Sequence, residues 1–460
     1  MPGTGCRLTL TCDPVPFRGD TGEMLARAAD MPGLALLDSG GPGWGQTSIL
    51  GVGGEAVVSW PGEDLDPFST LRAALNETSA PRHPRWPFTG GLIGWFGYDV
   101  RLLLEDLPDR HLRWSGLPDL HLAAYRVCAL RDEASGRTEI SVLEDREDPD
   151  ATDRARDLAA ELRQRLLDPA RRPGPTQSAL EDGRIDAPPA ARHVEAVRRA
   201  RHHIARGDVY QVNLAQRLVA RRPADLVGFY RRLRAANPAA FGAYVPFGDE
   251  ALLSVSPERF LAVDGDRVVT CPIKGTAPRD KDAALDEAHA RRLRDSEKDR
   301  AELAMIVDVM RNDLSRVCEP GSVTVRRPLS LESHPTVHHL VSEIEGRLEE
   351  GRDRVDLLRA ALPGGSVTGA PRIRAMELID ELEACRRGVY CGSLGYMGYD
   401  GRMELNILIR TAVATGDQLA VFGGGGIVAD SDPEDEYAET LHKVLGFIRA
   451  LGWETEATLG

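Results

Sequence analysis

Residues 192–220, RHVEAVRRARHHIARGDVYQVNLAQRLVA, change their hydrophobic period in mid-course, from about 3.6 to about 2. The first part reads as a helix that Gly207 closes as a C-terminal cap. The second reads as a strand. Its parity sends Tyr210, Val212 and Leu214 to one face and Gln211 and Asn213 to the other. The pattern continues downstream. Short strands are predicted at YVPF, ALLSV, RVVTCPIK, YCGSLGYMG, MELNILIRTAVA and QLAVFGGGG. Helices are predicted over SEKDRAELAMIVDVMRNDLSRV, over RIRAMELIDEL, and from Pro433 to about Leu451. Helices interspersed with hairpin-like strand pairs imply an α+β fold with mainly antiparallel sheets.

A chain of 460 residues is long enough for two or three domains. Residues 1–145 form a strand-rich region with many Gly and Pro turns, including EAVVSW and GGLIGWFGYD. Residues 146–190 contain a helix, spaced by Leu158, Leu162 and Leu166, and then the polar linker RRPGPTQSALEDGRIDAPPA. Residues 191–455 form the second large region. The net charge of −14 argues against nucleic acid and anionic membranes as general partners. No apolar run approaches the roughly 18 residues of a membrane span, and MPGTGCRLTLTCDPVP lacks the pattern of a secretory leader. Seven cysteines without a CxxC pair fit a reducing cytoplasm, with neither a disulfide framework nor a structural zinc site.

Several polar groups stand in places that admit two readings. Lys274, in CPIKGTAPR, follows the strand VVTC and precedes a turn expected at Gly275 and Pro278. It is either a solvated surface lysine or a desolvated amine able to act as nucleophile or anchor. Glu302 lies in AELAMIV, apolar nearly all round and so expected to be buried, with Asp299 one turn earlier and Ser296 as cap. On the last helix, capped by Asp432 and Pro433, Glu436, Glu439 and Lys443 share one face. They form either a solvated Glu–Lys face or one wall of a site. Carboxylates from the two helices could hold a hard divalent cation such as Mg2+. Gly423 to Gly426 form a tight turn or an anion-cradling loop. Glu258, in SPERF, is a turn carboxylate or a general acid with a raised pKa. Arg410, inside the apolar strand LNILIRTAV, needs an acidic partner or an anionic ligand. His339 and Tyr390 adjoin apolar segments.

YQVNLAQR, SPERF, PIKGT, the SEKDRAELAMIVDVMRNDLSRV helix, HHLVSEIEG, PGGSVTGAPRIRAMELID, YCGSLGY, ILIRT and GGGGIVADSDPEDEYAET occur in this order. Together they resemble the chorismate-utilising enzyme family over most of residues 192–451. The resemblance implies a chorismate-binding fold, with mainly antiparallel sheets packed as a sandwich and flanked by helices. It implies Lys274 and Glu258 as catalytic groups, and Glu302 and Glu439 as magnesium ligands, with Glu436 and Asp299 close behind. Gln211, Thr276, His339, Tyr390, Arg410, Gly425, Gly426 and Lys443 match substrate-binding positions.

Two positions discriminate within the family. Its water-adding branch carries a lysine at the position of Gln211, where a neutral amide cannot serve as base. The branch that aminates chorismate at C2, giving anthranilate, usually has alanine where Lys274 stands. The resemblance therefore implies amination at C4, giving 4-amino-4-deoxychorismate for p-aminobenzoate and folate. Amination at C2, or the same C4 chemistry serving secondary metabolism, is the alternative. No GxCxG nucleophile turn is present, so ammonia is expected from a separate glutamine amidotransferase subunit, in a cytoplasmic heterodimer. Leu36–Gly40, LLDSG, resembles the segment that lines a tryptophan pocket in relatives, and reads equally as an ordinary strand and turn.

Overall fold

The computed structural model describes residues 7–40, 46–62, 66–174, 185–333 and 337–452. Part of the proposed linker, residues 175–184, lies outside them. The described strands form two large sheets, and every pairing between them is antiparallel. The first sheet runs from Leu8–Val15 through Thr47–Val52 and Ala35–Asp38 to Phe241–Phe247. It continues through Glu250–Ser256, Thr411–Thr415 and Gln418–Ile427 to Gln211–Arg221. The second runs from Ile273–Pro278 and Val337–Arg347 through Arg259–Asp264, Met403–Asn406 and Ser393–Gly398. It ends at Gly91–Phe96, Leu120–Tyr125 and Glu55–Trp60.

Alternation of side chains gives each sheet an inner apolar face, and the two faces meet. Ile49, Leu130, Ala243, Leu252 and Val413 of the first sheet pack with Ile93, Trp95, Leu394 and Tyr396 of the second. Helices cover the outer faces. Met24, Leu25, Leu162, Phe229, Leu233 and Ile448 close one side, and Leu303, Ile306, Met310, Leu358 and Ile379 the other. The expected α+β sandwich with flanking helices is therefore present. No helix among the described residues is long and apolar enough to cross a membrane.

Cap chemistry follows the sequence closely. Ser296 Oγ accepts from Asp299 N at 3.2 Å, Asp432 accepts from Glu434 N and Asp435 N, and Gly207 takes φ +79°. Three expectations differ. Tyr210 precedes the strand, which starts at Gln211, and is 69% exposed rather than on a core face. The last helix breaks at Lys443 and Val444 into Pro433–His442 and Leu445–Leu451. The Glu297–Ser315 helix is buried on one side only. Leu303, Ile306, Val307 and Met310 face the core, while Ala301, Ala304 and Asp308 lie open, since alanine tolerates either environment.

Candidate active site

The chain passes from the first sheet to the second between Ser256 and Arg259, and returns between Asn406 and Thr411. The two crossings lie side by side. Ile407 N donates to Glu258 O at 3.1 Å, and Val255 N to Arg410 O at 3.0 Å. Ser256 Oγ donates to Ile407 O at 2.6 Å. MELNILIRTAVA is therefore not one strand. It breaks at Ile407–Arg410, and Arg410 adopts φ +51°, a strained conformation for a residue with a side chain. Such breaks free side chains from the sheet's alternation, and Glu258 uses one to point inward. It is 4% exposed, and burial pushes its carboxyl up to about 7, against the opposing pull of Ser366 and Lys274.

Lys274 does not precede a turn. Ile273–Pro278 is a strand on Val337–Arg347, with a bulge between Lys274 and Thr276. Gly275 supplies the φ of +72° that the bulge requires. A Cβ there would stand 2.7 Å from Leu293 Cδ1 and 2.9 Å from Asp299 Oδ1. The bulge re-aims Lys274, whose ammonium makes no hydrogen bond or ion pair with a described residue. Burial draws its pKa down, helped by Lys443 and opposed by Glu302, Glu258 and Glu439.

The four glycines are not a loop either. Gly423 to Gly426 lie within the Gln418–Ile427 strand, opposite Gln216 to Asn213 of the neighbouring strand. Glycine is needed there for close approach. A Cβ on Gly423 would strike Thr440 O of the following helix, and one on Gly426 would strike Gln211 Nε2. A Cβ on Gly425 would stand 3.0 Å from Glu436 Oε2 and 3.4 Å from Glu439 Oε1, so both carboxylates lie over this glycine. Lys443 Nζ bonds Glu439 Oε1 at 2.5 Å and Gly424 O at 2.7 Å, and Lys298 Nζ lies 3.8 Å from Glu436 Oε1. Burial raises the pKa of Glu302, with Asp299 and Glu436 adding to the rise and Lys274 opposing. This is an oxygen-only donor set with crowded negative charge, which suits a hard cation. In this state two ammonium groups neutralise part of it, and the carboxylates do not close into a tight cluster.

Gln211 is fully buried, and neither its amide nitrogen nor its oxygen has a partner. A buried amide left so costs free energy until a ligand or water satisfies it. Thr276 Oγ1 and His339 Nδ1 are 3.1 Å apart across the bulged pair. Tyr390 stacks on Phe422 with ring centroids 4.7 Å apart, and Arg410 Nη1 donates to Lys443 O at 2.9 Å. Mutual electrostatic influence further links Lys274 to Glu258, Glu302, Glu439 and Lys443, and Arg410 to Tyr390 and Glu439.

Two groups around the site carried no sequence signal of their own. Ser366 Oγ donates to Glu258 Oε1 at 2.7 Å. Arg387, buried, pairs with Glu383 at 2.6 Å and donates to Val367 O at 2.9 Å and Asn213 O at 3.0 Å. A serine in a Gly-rich loop and an arginine in CRRG look like turn and surface residues. Only the packing of distant segments distinguishes them.

Elsewhere, Cys12, His83 and Glu139 bring ligand atoms within 4.8 Å of one another. His83 Nδ1 accepts from Arg85 N and Trp86 N, which leaves the proton on Nε2, while Trp86 and Arg137 already hold Glu139. The group is an internal hydrogen-bonding cluster, poorly suited to a metal. All six described cysteines are free, with Cys6 outside the described residues. Leu37, Asp38 and Ser39 of the LLDSG segment line a cavity between the sheets with Phe241, Tyr396 and Asn406. Asp38 accepts from Arg234 Nε at 2.6 Å and from the Tyr230 hydroxyl at 3.0 Å.

Comparison with known proteins identifies the family. The chorismate binding enzyme family matches residues 36–449. The aminodeoxychorismate synthase component 1 of Salmonella typhimurium is 43% identical over 383 residues, covering 82% of this chain and 81% of the relative. The anthranilate synthase component 1 of Thermus thermophilus is 41% identical over 416 residues, 88% of each chain. The solved anthranilate synthase component I of Streptococcus pneumoniae matches with a TM-score of 0.77 and 33% identity, covering 88% of this chain and 92% of that one. With the family model spanning residues 36–449 and relatives above 40% identity over more than four-fifths of the chain, the chain belongs to the chorismate binding enzyme family.

Proposed function

We propose that this enzyme aminates chorismate at C4, with Lys274 as nucleophile, to give 4-amino-4-deoxychorismate for p-aminobenzoate and folate synthesis in the cytoplasm. The observation that carries the reading is the environment of Lys274. The residue is half-buried, its amine makes no hydrogen bond or ion pair with a described residue, and burial draws it toward the neutral form that can attack. In this reading the Nζ lone pair forms a bond to C2, both ring double bonds shift through C1, C6 and C5, and the C4–O bond breaks. Glu258, holding a proton near neutral pH, gives it to the departing hydroxyl, which leaves as water. Ammonia then bonds to C4, both double bonds shift back, and the C2–Nζ bond breaks with its electron pair returning to Lys274. Gln211 presents a neutral amide where a base would be needed to activate water, which favours ammonia as the entering group.

Glu302, Glu436 and Glu439, with Asp299 beside them, are the groups that would hold a magnesium ion. When bound, it supplies positive charge to the substrate's ring carboxylate. In this reading Arg410 and Lys443 hold carboxylate groups of the substrate, and Thr276, His339, Tyr390, Gly425 and Gly426 shape its pocket. Names of the form "component 1" among the relatives support a second subunit, which we assign as a glutamine amidotransferase delivering ammonia. Tryptophan is proposed for the cavity beside Leu37 and Phe241. Calorimetry without heat on tryptophan addition would remove it.

The test is a product assay with chorismate, magnesium and ammonium. The expected product is 4-amino-4-deoxychorismate, and Lys274→Ala is expected to abolish it while leaving the fold intact. Amination at C2 is the second reading, favoured by the Thermus thermophilus relative. Anthranilate as the product would establish it and displace the lysine mechanism.

A further inference from the structure

We propose that Ser366 is the positioning residue of the proton donor: its hydroxyl holds Glu258 Oε1 as the carbonyl oxygen, so that Oε2 carries the proton toward the leaving hydroxyl. The inference rests on the reading of Glu258 as general acid.

A free carboxyl can carry its proton on either oxygen and can rotate. Here only one oxygen is held. Ser366 Oγ lies 2.7 Å from Oε1, and Oε2 has no hydrogen-bond partner among the described residues. Ser366 Oγ has no other acceptor among the described residues, so its hydrogen is directed to Oε1, which makes that oxygen the acceptor and sends the proton to Oε2. Among the described residues, the charged or titratable groups facing Glu258 are Lys274 and the Cys391 thiol, and burial pushes that thiol up to about 11, so it stays neutral.

The serine can do this because its own backbone is fixed. It sits on the Gly365–Val367 turn and is 4% exposed. Val367 O accepts from Arg387, Thr368 Oγ1 donates to Gly364 O at 3.1 Å, and Asn213 N donates to Thr368 O at 2.8 Å. A Cβ on Gly365 would stand 2.6 Å from Val309 Cγ1, so the turn also rests on the Glu297–Ser315 helix. Arg387 and Glu383 tie the same turn to Asn213 O and Ala215 N of the strand that bears Gln211. The proton donor's anchor and the Gln211 wall are thus one rigid assembly.

The step balances simply. The Oε2–H bond breaks, the proton passes to the C4 hydroxyl, the C4–O electron pair leaves with water, and Glu258 remains as a carboxylate. The Ser366 hydrogen bond becomes charge-assisted at that moment, so it is stronger after transfer than before.

The experiment compares Ser366→Ala and Ser366→Thr with the unaltered enzyme. Infrared difference spectra against Glu258→Gln isolate the buried carboxyl band. Steady-state kinetics at fixed free ammonia give kcat and KM for chorismate. In Ser366→Ala the carbonyl stretch is expected to rise in frequency and the carboxyl to titrate at higher pH. The kcat is expected to fall by about tenfold or more, within the range a general acid supplies, with KM little changed. Ser366→Thr, which keeps the hydroxyl, is expected to restore the band and most of kcat. An unmoved band, or a moved band with unchanged kcat, overturns the assignment and leaves the proton-donor reading standing. Full activity in Glu258→Gln overturns that reading and the proposal with it.

Discussion

Replacing Glu258 by Gln tests the buried carboxyl without any substrate. Burial raises its pKa from the ordinary 4.5 to about 7 in the folded chain. Between those values the folded state binds more protons than the unfolded state, so stability falls as pH rises, and the loss is complete above the folded pKa. The gap is equivalent to about 3 kcal/mol, an upper figure for one group in a chain whose whole stability is on the order of 10 kcal/mol. Glutamine has the same shape and no charge to desolvate. Urea denaturation of both proteins at about pH 5 and about pH 8.5 isolates this effect, because any constant offset from the amide cancels in the comparison. The variant is expected to gain about 2–3 kcal/mol relative to the parent between the two conditions. A stability difference that does not change with pH would refute the argument, since it would mean that Glu258 is ionised, or accessible to water, near neutral pH. The expected result would also show that the group is kept at a cost to the fold, as groups retained for chemistry are.

Two further substitutions examine the supporting structure. Gly426→Ala drives a Cβ into Gln211 Nε2, so we expect stability to fall by about 1–3 kcal/mol and kcat/KM to fall with it. Thermal unfolding and kinetics on the same sample check both, and a neutral outcome would mean that Gln211 moves aside freely. Arg387→Met leaves Glu383 buried without its cation, and chemical denaturation is expected to show a loss of about 3–5 kcal/mol. A loss below about 1 kcal/mol would show that Ala215 N alone satisfies the carboxylate.

Features that depend on a few neighbouring residues were legible in the sequence. The caps at Ser296 and Asp432, the stop at Gly207 and the helix–strand exchange at 192–220 are of this kind, and so is the order of the family motifs. Features set by distant packing were not. Four consecutive glycines look like a turn, yet they form a central strand because a helix and Gln211 press on its two faces. Gly275 looks like a turn for the same reason and is a bulge, because Val337–Arg347 pairs on both sides of it. LNILIRTAV looks like one strand, since nothing in its composition reveals that its halves join different sheets. The alternation that predicts a core face for Tyr210 fails because the ladder starts one residue later. Ser366 and Arg387 become visible only when residues more than a hundred positions away, Glu258 and Asn213, are brought to them.

The two sheets do not respect the boundary near residue 190. Ala35–Asp38 is hydrogen-bonded to Phe241–Phe247, and Gly91–Phe96 to Ser393–Gly398. The N-terminal and C-terminal stretches are therefore woven together rather than strung side by side. Produced alone, residues 191–460 would expose two bare strand edges, at Phe241–Phe247 and Ser393–Gly398, both inviting aggregation. Produced together as separate polypeptides, the halves carry matching edges and should reconstitute the enzyme by fragment complementation. The same weave restricts chimeras. An N-terminal half borrowed from a relative will serve only if Leu36 and Trp95 find their partners, Tyr244 and Leu394, in register.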